Sequence, residues 1–154
     1  MGFNIRKVLL GVFTTGFAMQ SHAFTCFLTQ MKDDCWKTYN VTVDVYDSTT
    51  NKKLVSAIVP TGSLWTRQQF TCQPGQTLRF QAQFTPVFWQ NDEGKTWYGN
   101  HFWTLPAQPQ TGETAWNISL CFPGDFAEVP MPPQATNNCQ CSSSGIPPIE
   151  APSS

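Results

Sequence analysis

Residues that could act as an acid, a base or a nucleophile are few in this chain. Downstream of residue 23, the one histidine is His101, in the segment 98–103. A Ser–His–Asp or Cys–His site would have to be built on it, but no G-x-S-x-G or comparable nucleophile motif accompanies it. A lone histidine on a predicted strand is more often a packing or surface residue. The sequence therefore predicts a protein that is not an enzyme and has no catalytic residues.

The carboxylates do not designate an acid–base pair. Asp33 with Asp34, and Asp92 with Glu93, lie in predicted turns, where acidic side chains commonly hydrogen-bond to the nearby backbone. A glycosidase would need two carboxylates facing each other across a cleft. The sequence also lacks glycine-rich phosphate loops and calcium loops with alternating acidic ligands. We therefore predict no cofactor.

Cysteines are the clearest chemical signal in the chain. Structural zinc sites usually contain two close pairs such as C-x-x-C, whereas here Cys139 and Cys141 form the one close pair, so we predict no metal site. An even number of cysteines in an exported chain is typical of disulfides. The six predicted disulfide cysteines are Cys26, Cys35, Cys72, Cys121, Cys139 and Cys141.

The N-terminus has the three parts of an export signal. Arg6 and Lys7 are basic, residues 8–18 are apolar, and Ser21 and Ala23 are small residues at the positions that signal peptidase reads. The apolar run is about half of the roughly 20 residues that a transmembrane helix needs. The sequence predicts a signal peptide at residues 1–23, a periplasmic or secreted mature chain, and no transmembrane anchor. Lipidation of Cys26 is disfavoured by the two residues before it but stays open.

Charge and composition narrow the class of partner. The chain has 154 residues, of which 14% are aromatic and 12% are charged, about half the usual share of charge. Removal of Arg6 and Lys7 with the signal peptide lowers the formal net charge from −1 to −3. No basic patch remains to attract phosphate, so we predict no binding of nucleic acid.

The elements that must position these residues are predicted to be β-strands. Apolar and polar residues alternate with a period of two, which is typical of half-buried strands, and no stretch has a helical period with caps. The pattern predicts an all-β, antiparallel sandwich of immunoglobulin-like or transthyretin-like type over residues 24–122. The predicted strands are 39–45, 54–59, 64–72, 78–84, 115–122 and a hairpin of 87–89 with 95–105, joined by 90–94.

The last 32 residues, 123–154, differ in character from the sandwich. They contain seven prolines, one aromatic residue and a serine run, which predicts an extended, polyproline-like tail. Cysteines two residues apart rarely bond to each other without strain, so we expect Cys139 and Cys141 to tether the tail at two different places. Residues 146–149 would then be a free end, either disordered or a short docking peptide.

Disulfide connectivity is left open by the sequence, because six cysteines allow 15 pairings. The working hypothesis places Cys72 and Cys121 as strand cysteines inside the sandwich. Cys26 and Cys35 would then bond to each other or to the two tail cysteines. Each bridge contributes on the order of 2–4 kcal/mol, so the set bears on whether the domain folds.

Aromatic residues concentrate on the predicted hairpin. Since neighbours on a strand point to opposite faces, they cannot all lie in one core, and some must be at the rim or outside. They would serve as protein-binding anchors or as a platform that stacks on sugar rings, unless the sandwich and the tail bury them from both sides. The candidate binding surface consists of Trp89, Trp97, Tyr98, Phe102 and Trp103.

Several segments together suggest a family. They resemble small disulfide-rich periplasmic proteins of intracellular gammaproteobacteria, some of which look like accessory subunits of the outer-membrane core of the Dot/Icm (type IVB) secretion system. The resemblance implies a protein-binding role among other envelope proteins and carries over no binding residue. The segments are 24–26, 35–36, 65–68, 70–72, 84–89, 113–118, 139–141 and 146–148.

The sequence as a whole predicts a protein that acts by binding. The first interpretation is a structural or accessory subunit of a bacterial envelope assembly, since catalytic groups are scarce and aromatic residues are in surplus. The alternative is a carbohydrate-binding module that uses Trp89, Trp97 or Trp103. An enzyme built on His101 is the third and least favoured interpretation.

Overall fold

The computed structural model describes residues 16, 23–136 and 138–149. Nearly all of the predicted signal peptide therefore lies outside the described residues. The described part contains two 3₁₀ turns but no α-helix, and no helix in it is long and apolar enough to cross a membrane. Its strands are β1 Phe24–Lys32, β2 Asn40–Asp47, β3 Lys53–Val59, β4 Trp65–Cys72, β5 Thr77–Thr85, β6 Trp97–Tyr98, β7 Trp103–Thr104 and β8 Ala115–Phe122.

The strands form two sheets. In the three-stranded sheet the order is β4-β1-β8, with β1 antiparallel to β4 and parallel to β8. In the five-stranded sheet the order is β3-β2-β5-β6, and β7 also pairs with β5. The prediction of an all-β sandwich is confirmed. Its strand order differs from that of an immunoglobulin constant domain, in which the first, second, fourth and fifth strands share one sheet.

Alternation of side chains explains why β2 and β5 pair at the centre of the five-stranded sheet. Val41, Val43 and Val45 of β2 are fully buried, and the register places Val43 opposite Ala82 and Val45 opposite Phe80. The polar residues between them point away from the core because successive residues on a strand face opposite sides. Full burial of each such side chain stabilises the fold by roughly 1.5–3 kcal/mol.

An aromatic cluster around Trp36 joins the two sheets. Trp36 is fully buried in the 3₁₀ turn Asp34–Trp36, which Asp33 caps by accepting a hydrogen bond from the Cys35 amide at 3.0 Å. The Trp36 ring centroid lies 4.7 Å from that of Phe84 on β5 and 4.8 Å from that of Phe122 on β8. Edge-to-face pairs of this kind add about 0.5–1.5 kcal/mol beyond burial.

The structure corrects one predicted hairpin and adds one strand that was not predicted. The hairpin of 87–89 with 95–105 is wrong, because β6 and β7 both pair with β5 and are separated by a bend. The nine-residue strand β1 was not predicted. Its inward positions include Gln30 and Lys32, both buried, so polar residues stand where the alternation of a half-buried strand requires apolar ones.

All six cysteines form disulfides, which confirms the predicted bonding but corrects the working hypothesis on its pattern. Cys72 does not pair with Cys121. It bonds to Cys26, because the register of β1 and β4 makes these two residues diagonal neighbours on the inward face, with Cα atoms 5.8 Å apart. Cys121 points outward from β8 and bonds to Cys141, while Cys35 bonds to Cys139. The tail is thus tethered at two different places, as expected.

Candidate binding surface

Exposed aromatic side chains occur in the segments that follow β5 along the chain, namely the loop before the second 3₁₀ turn, β6 and the bend before β7. Trp89 is 67% exposed, Phe102 66% and Tyr98 59%. We call these three residues the aromatic edge. Each is the chain neighbour of an aromatic residue that packs against the core; the neighbours are Phe88, Trp103 and Trp97 respectively.

The other two predicted surface residues face the opposite way. Trp97 is buried and stacks on Phe84 with ring centroids 6.1 Å apart, while the Lys95 ammonium lies 4.2 Å from the Trp97 ring centroid. Trp103 is half-buried against the core. Neither side chain offers the flat exposed ring that a binding platform needs. The prediction that the five aromatics divide between inside and outside is confirmed, and Trp97 and Trp103 are removed from the candidate surface.

The backbone around Tyr98 is fixed from two sides. The Ala127 amide donates to the Tyr98 carbonyl at 2.8 Å, and the Gly99 amide donates to the Phe80 carbonyl at 2.9 Å. A Cβ atom at Gly99 would lie 3.1 Å from the Phe80 ring, so the close approach of this segment to β5 favours glycine. An aromatic side chain on an ordered backbone loses little conformational entropy on binding.

The outer face of the five-stranded sheet adds polar groups beside Tyr98. Tyr98 pairs with Gln81, whose side-chain amide donates to the Tyr46 hydroxyl at 3.2 Å. The Arg79 guanidinium lies 4.2 Å from the Tyr46 ring centroid. Opposite Gln81 on β2, Asp44 forms a 3.6 Å ion pair with Lys53 through one carboxylate oxygen. The other oxygen, Oδ1, has no hydrogen-bond partner among the described residues.

This polar face was not predicted as part of a site. The outward positions of β2 and β5 include Tyr46, Arg79 and Gln81. The alternation that predicted the strands therefore also indicated that these side chains point outward. What the sequence lacked was the register that brings Gln81 beside Tyr98. Long-range pairing of this kind depends on tertiary structure.

Side chains, and not main-chain groups, dominate this edge. β6 and β7 are two residues long, and a bend interrupts them. Very short edge strands are a common way to prevent pairing with the backbone of another chain. A partner at this edge would therefore contact the aromatic and polar side chains.

His101 lies in the bend between β6 and β7, not on a strand as predicted. Its side chain is exposed, and Nδ1 lies 2.6 Å from the Asn100 amide oxygen. The imidazole ring is 6.2 Å from that of Phe80, edge to face. Among the described residues, no serine, cysteine or carboxylate forms a hydrogen bond with the ring.

The acidic cluster that the described residues place near cysteines does not have the chemistry of a metal site. Ligand atoms of Asp33, Asp34, Cys35 and Cys139 lie within 4.8 Å of one another. The two sulfur atoms are bonded to each other, so neither is a thiolate that can bind a metal. Burial raises the pKa of Asp33, and Asp34 accepts a hydrogen bond from the Gln140 amide at 3.2 Å. The cluster attaches the tail to the turn after β1.

Comparisons with known proteins assign no role to this surface. The chain matches no protein-family model, no curated protein and no solved structure.

Proposed function

We propose that this protein is a non-enzymatic, exported structural or protein-binding subunit, an accessory component of a bacterial envelope assembly such as a type IV secretion system. The observation that carries the proposal is the aromatic edge, in which three exposed aromatic side chains are each held by a neighbouring residue packed in the core. Tryptophan and tyrosine anchors of this kind dominate the binding energy of many protein interfaces.

Export is supported by the cysteines. All six are bonded, in three disulfides, and disulfides persist in oxidising compartments such as the periplasm and the extracellular space. The signal-peptide pattern at residues 1–23 supports the same compartment. We therefore propose a periplasmic or secreted location and a partner among other envelope proteins.

Site-specific photo-crosslinking tests the proposal. A photoreactive amino acid at position 89 or 102 should give a discrete adduct with an envelope protein in the natural host, because both side chains project from an ordered backbone into solvent. Position 56 is the matched control, since Ser56 is exposed on β3, at the opposite edge of the same sheet. If the variants at all three positions gave uncrosslinked monomer and no adduct, the result would count against a protein partner at this edge.

Carbohydrate binding is the second candidate, favoured by the groups around Tyr98. An exposed aromatic ring paired across the strands with the polar side chain of Gln81 resembles the mix of apolar surface and few polar groups found in small-molecule sites. Of the three candidate tryptophans, only Trp89 is exposed. Fluorescence titration with cell-wall polysaccharides should then show quenching that is lost in Tyr98→Ala and Trp89→Ala. Unchanged fluorescence with every polysaccharide would remove this candidate.

A further inference from the structure

We propose that the outer face of the three-stranded sheet is a binding groove for an extended proline-rich segment of a partner protein, and that residues 146–149 of this chain occupy it in cis as a displaceable plug. The groove lies on the other sheet from the aromatic edge, and the inference does not rest on the function proposed for that edge. The expected ligand has two consecutive prolines between aliphatic residues.

A row of polar side chains crosses all three strands of this face. Arg67 of β4 donates from Nε to the Thr29 hydroxyl of β1 at 2.9 Å. Thr29 donates in turn to the Asn117 side-chain oxygen of β8 at 2.8 Å. Asn117 donates to the Ser119 hydroxyl at 2.9 Å. These bonds hold the Arg67 side chain against the sheet through Nε.

The Arg67 side chain contacts the backbone of the tail. Nη1 donates to the Pro147 carbonyl at 2.9 Å, while the guanidinium carbon lies 5.7 Å from the Trp65 ring centroid. Proline has no amide hydrogen, so its carbonyl oxygen is the polar group that a proline-rich backbone offers. An arginine that donates to this carbonyl suits a polyproline-like ligand.

The two isoleucines of the segment face the groove. Ile146 and Ile149 are half-buried, whereas Pro147 and Pro148 between them are exposed. A spacing of three residues places side chains on one face of a polyproline II helix, which has three residues per turn. Thr29 is only 3% exposed although it points away from the core; Arg67 and Asn117 are bonded to it on either side, and it lines the same cavity as the tail. The segment that the sequence predicts as a free end is therefore docked on its own domain.

The plug is tethered close to the groove but held by few contacts. Cys141 bonds to Cys121 on the same outward face, and only residues 142–145 separate it from Ile146. A short linker gives an effective concentration in the millimolar range, so weak contacts suffice to keep the groove occupied. About 270 Å³ of space remains between the tail, Met31 and the polar row. A partner segment that filled this space would make more contacts than the plug does.

Fluorescence polarisation with a labelled peptide tests the proposal on the full chain with all three disulfides intact. The probe has the sequence of residues 142–149, Ser-Ser-Ser-Gly-Ile-Pro-Pro-Ile. The double variant Ile146→Asp, Ile149→Asp should release the plug without touching the core. We expect it to bind the probe at least ~10-fold more tightly than the native chain, because the tethered tail no longer competes.

Matched variants separate groove binding from nonspecific binding. In the released background, Arg67→Met should weaken probe binding by ~10-fold or more, since it removes a charge-assisted hydrogen bond. Gln69→Met, on the same strand and the same outward face, should leave binding unchanged. A probe with both isoleucines changed to aspartate should not bind.

A second measurement does not depend on the released variant. In the native chain, Arg67→Met should lower the steady-state ¹⁵N NOE of Ile149, and Gln69→Met should not. The proposal is overturned if the released variant fails to bind the probe, or if Arg67→Met changes neither probe binding nor the mobility of Ile149. Aggregation of the released variant would make the NOE measurement decisive.

Discussion

Lys32 shows how one buried charge organises a strand junction. It points inward from the last position of β1 and is 1% exposed. Its ammonium donates to the main-chain carbonyls of Tyr39, Val59 at 3.3 Å and Pro60 at 2.8 Å. The side chain therefore links the end of β1 to the start of β2 and the end of β3. Removal from water lowers the pKa of Lys32 to about 8.

The pH dependence of stability should reveal this lysine. In the unfolded chain Lys32 keeps its proton up to the ordinary lysine pKa of 10.5, whereas in the folded chain it loses the proton near pH 8. Between these values the unfolded state binds more protons, so the free energy of unfolding rises with pH, by about 2 kcal/mol between pH 7 and pH 9.5. Urea unfolding across this range measures it.

The control for this prediction is a second lysine. Lys95→Met removes an exposed lysine whose side chain is 50% accessible, so the rise in stability with pH should persist. Lys32→Met should abolish the rise, whatever it does to stability at pH 7. A rise of the same size in both variants would show that another group is responsible.

At the level of elements, alternation predicted well where one face of a strand is apolar. β2, β3, β4, β5 and β8 were all predicted within a few residues. β1 was not, because the polar residues Gln30 and Lys32 occupy its inward face. The Lys32 ammonium is held there by the carbonyls of Val59 and Pro60, which local sequence does not specify. The segment that contains β6 and β7 was assigned the wrong partner, because its pairing with β5 joins residues about 15–27 positions apart in sequence.

The disulfides should differ in how much they stabilise these elements. The Cys26–Cys72 bridge spans 46 residues and both sulfurs are buried, whereas Cys121–Cys141 spans 20 residues on the outer face. The entropy that each bridge removes from the unfolded chain stabilises the fold by about 4 kcal/mol for Cys26–Cys72 and about 3 kcal/mol for Cys121–Cys141. Loss of the buried sulfurs of Cys26–Cys72 adds the cost of a cavity. Urea unfolding of Cys26→Ala, Cys72→Ala should therefore show the larger loss of stability.

The double variant Cys121→Ala, Cys141→Ala is the comparison. It should leave the core packed, as near-UV circular dichroism would report, because it removes only the tether between the tail and the outer face of β8. Equal destabilisation by the two pairs, with equal loss of the near-UV signal, would contradict the placement of Cys121 outside the core.

At the scale of the whole molecule, no disulfide crosses between the two sheets. One bridge joins β1 to β4 within the three-stranded sheet, and the other two attach the tail to β8 and to the turn after β1. Cohesion between the sheets therefore depends on apolar burial centred on Trp36 and on the hydrogen bonds of Lys32. A core of this size leaves a modest margin of stability.

Peptide mapping under non-reducing conditions tests this arrangement. After tryptic digestion, the peptide that ends at Lys32 should remain disulfide-linked to residues 68–79, which contain Cys72. Residues 33–37 should remain linked to the fragment that begins at residue 96. Cleavage after Glu128 then separates Cys121 from the two tail cysteines, so the Cys121–Cys141 bond becomes visible as a second link. A peptide that links Cys72 to Cys121, or any free thiol, would refute the pairing.

The sequence by itself determined the class of the fold, the bonding of its cysteines and the division of the aromatics between inside and outside. All three follow from local pattern: alternation, an even cysteine count and opposite faces of neighbouring residues. Only the tertiary structure decided which cysteines pair, which aromatics are exposed and where residues 146–149 lie. These outcomes depend on strand register and on contacts between distant segments, such as Arg67 with Pro147, for which the local pattern contains no signal.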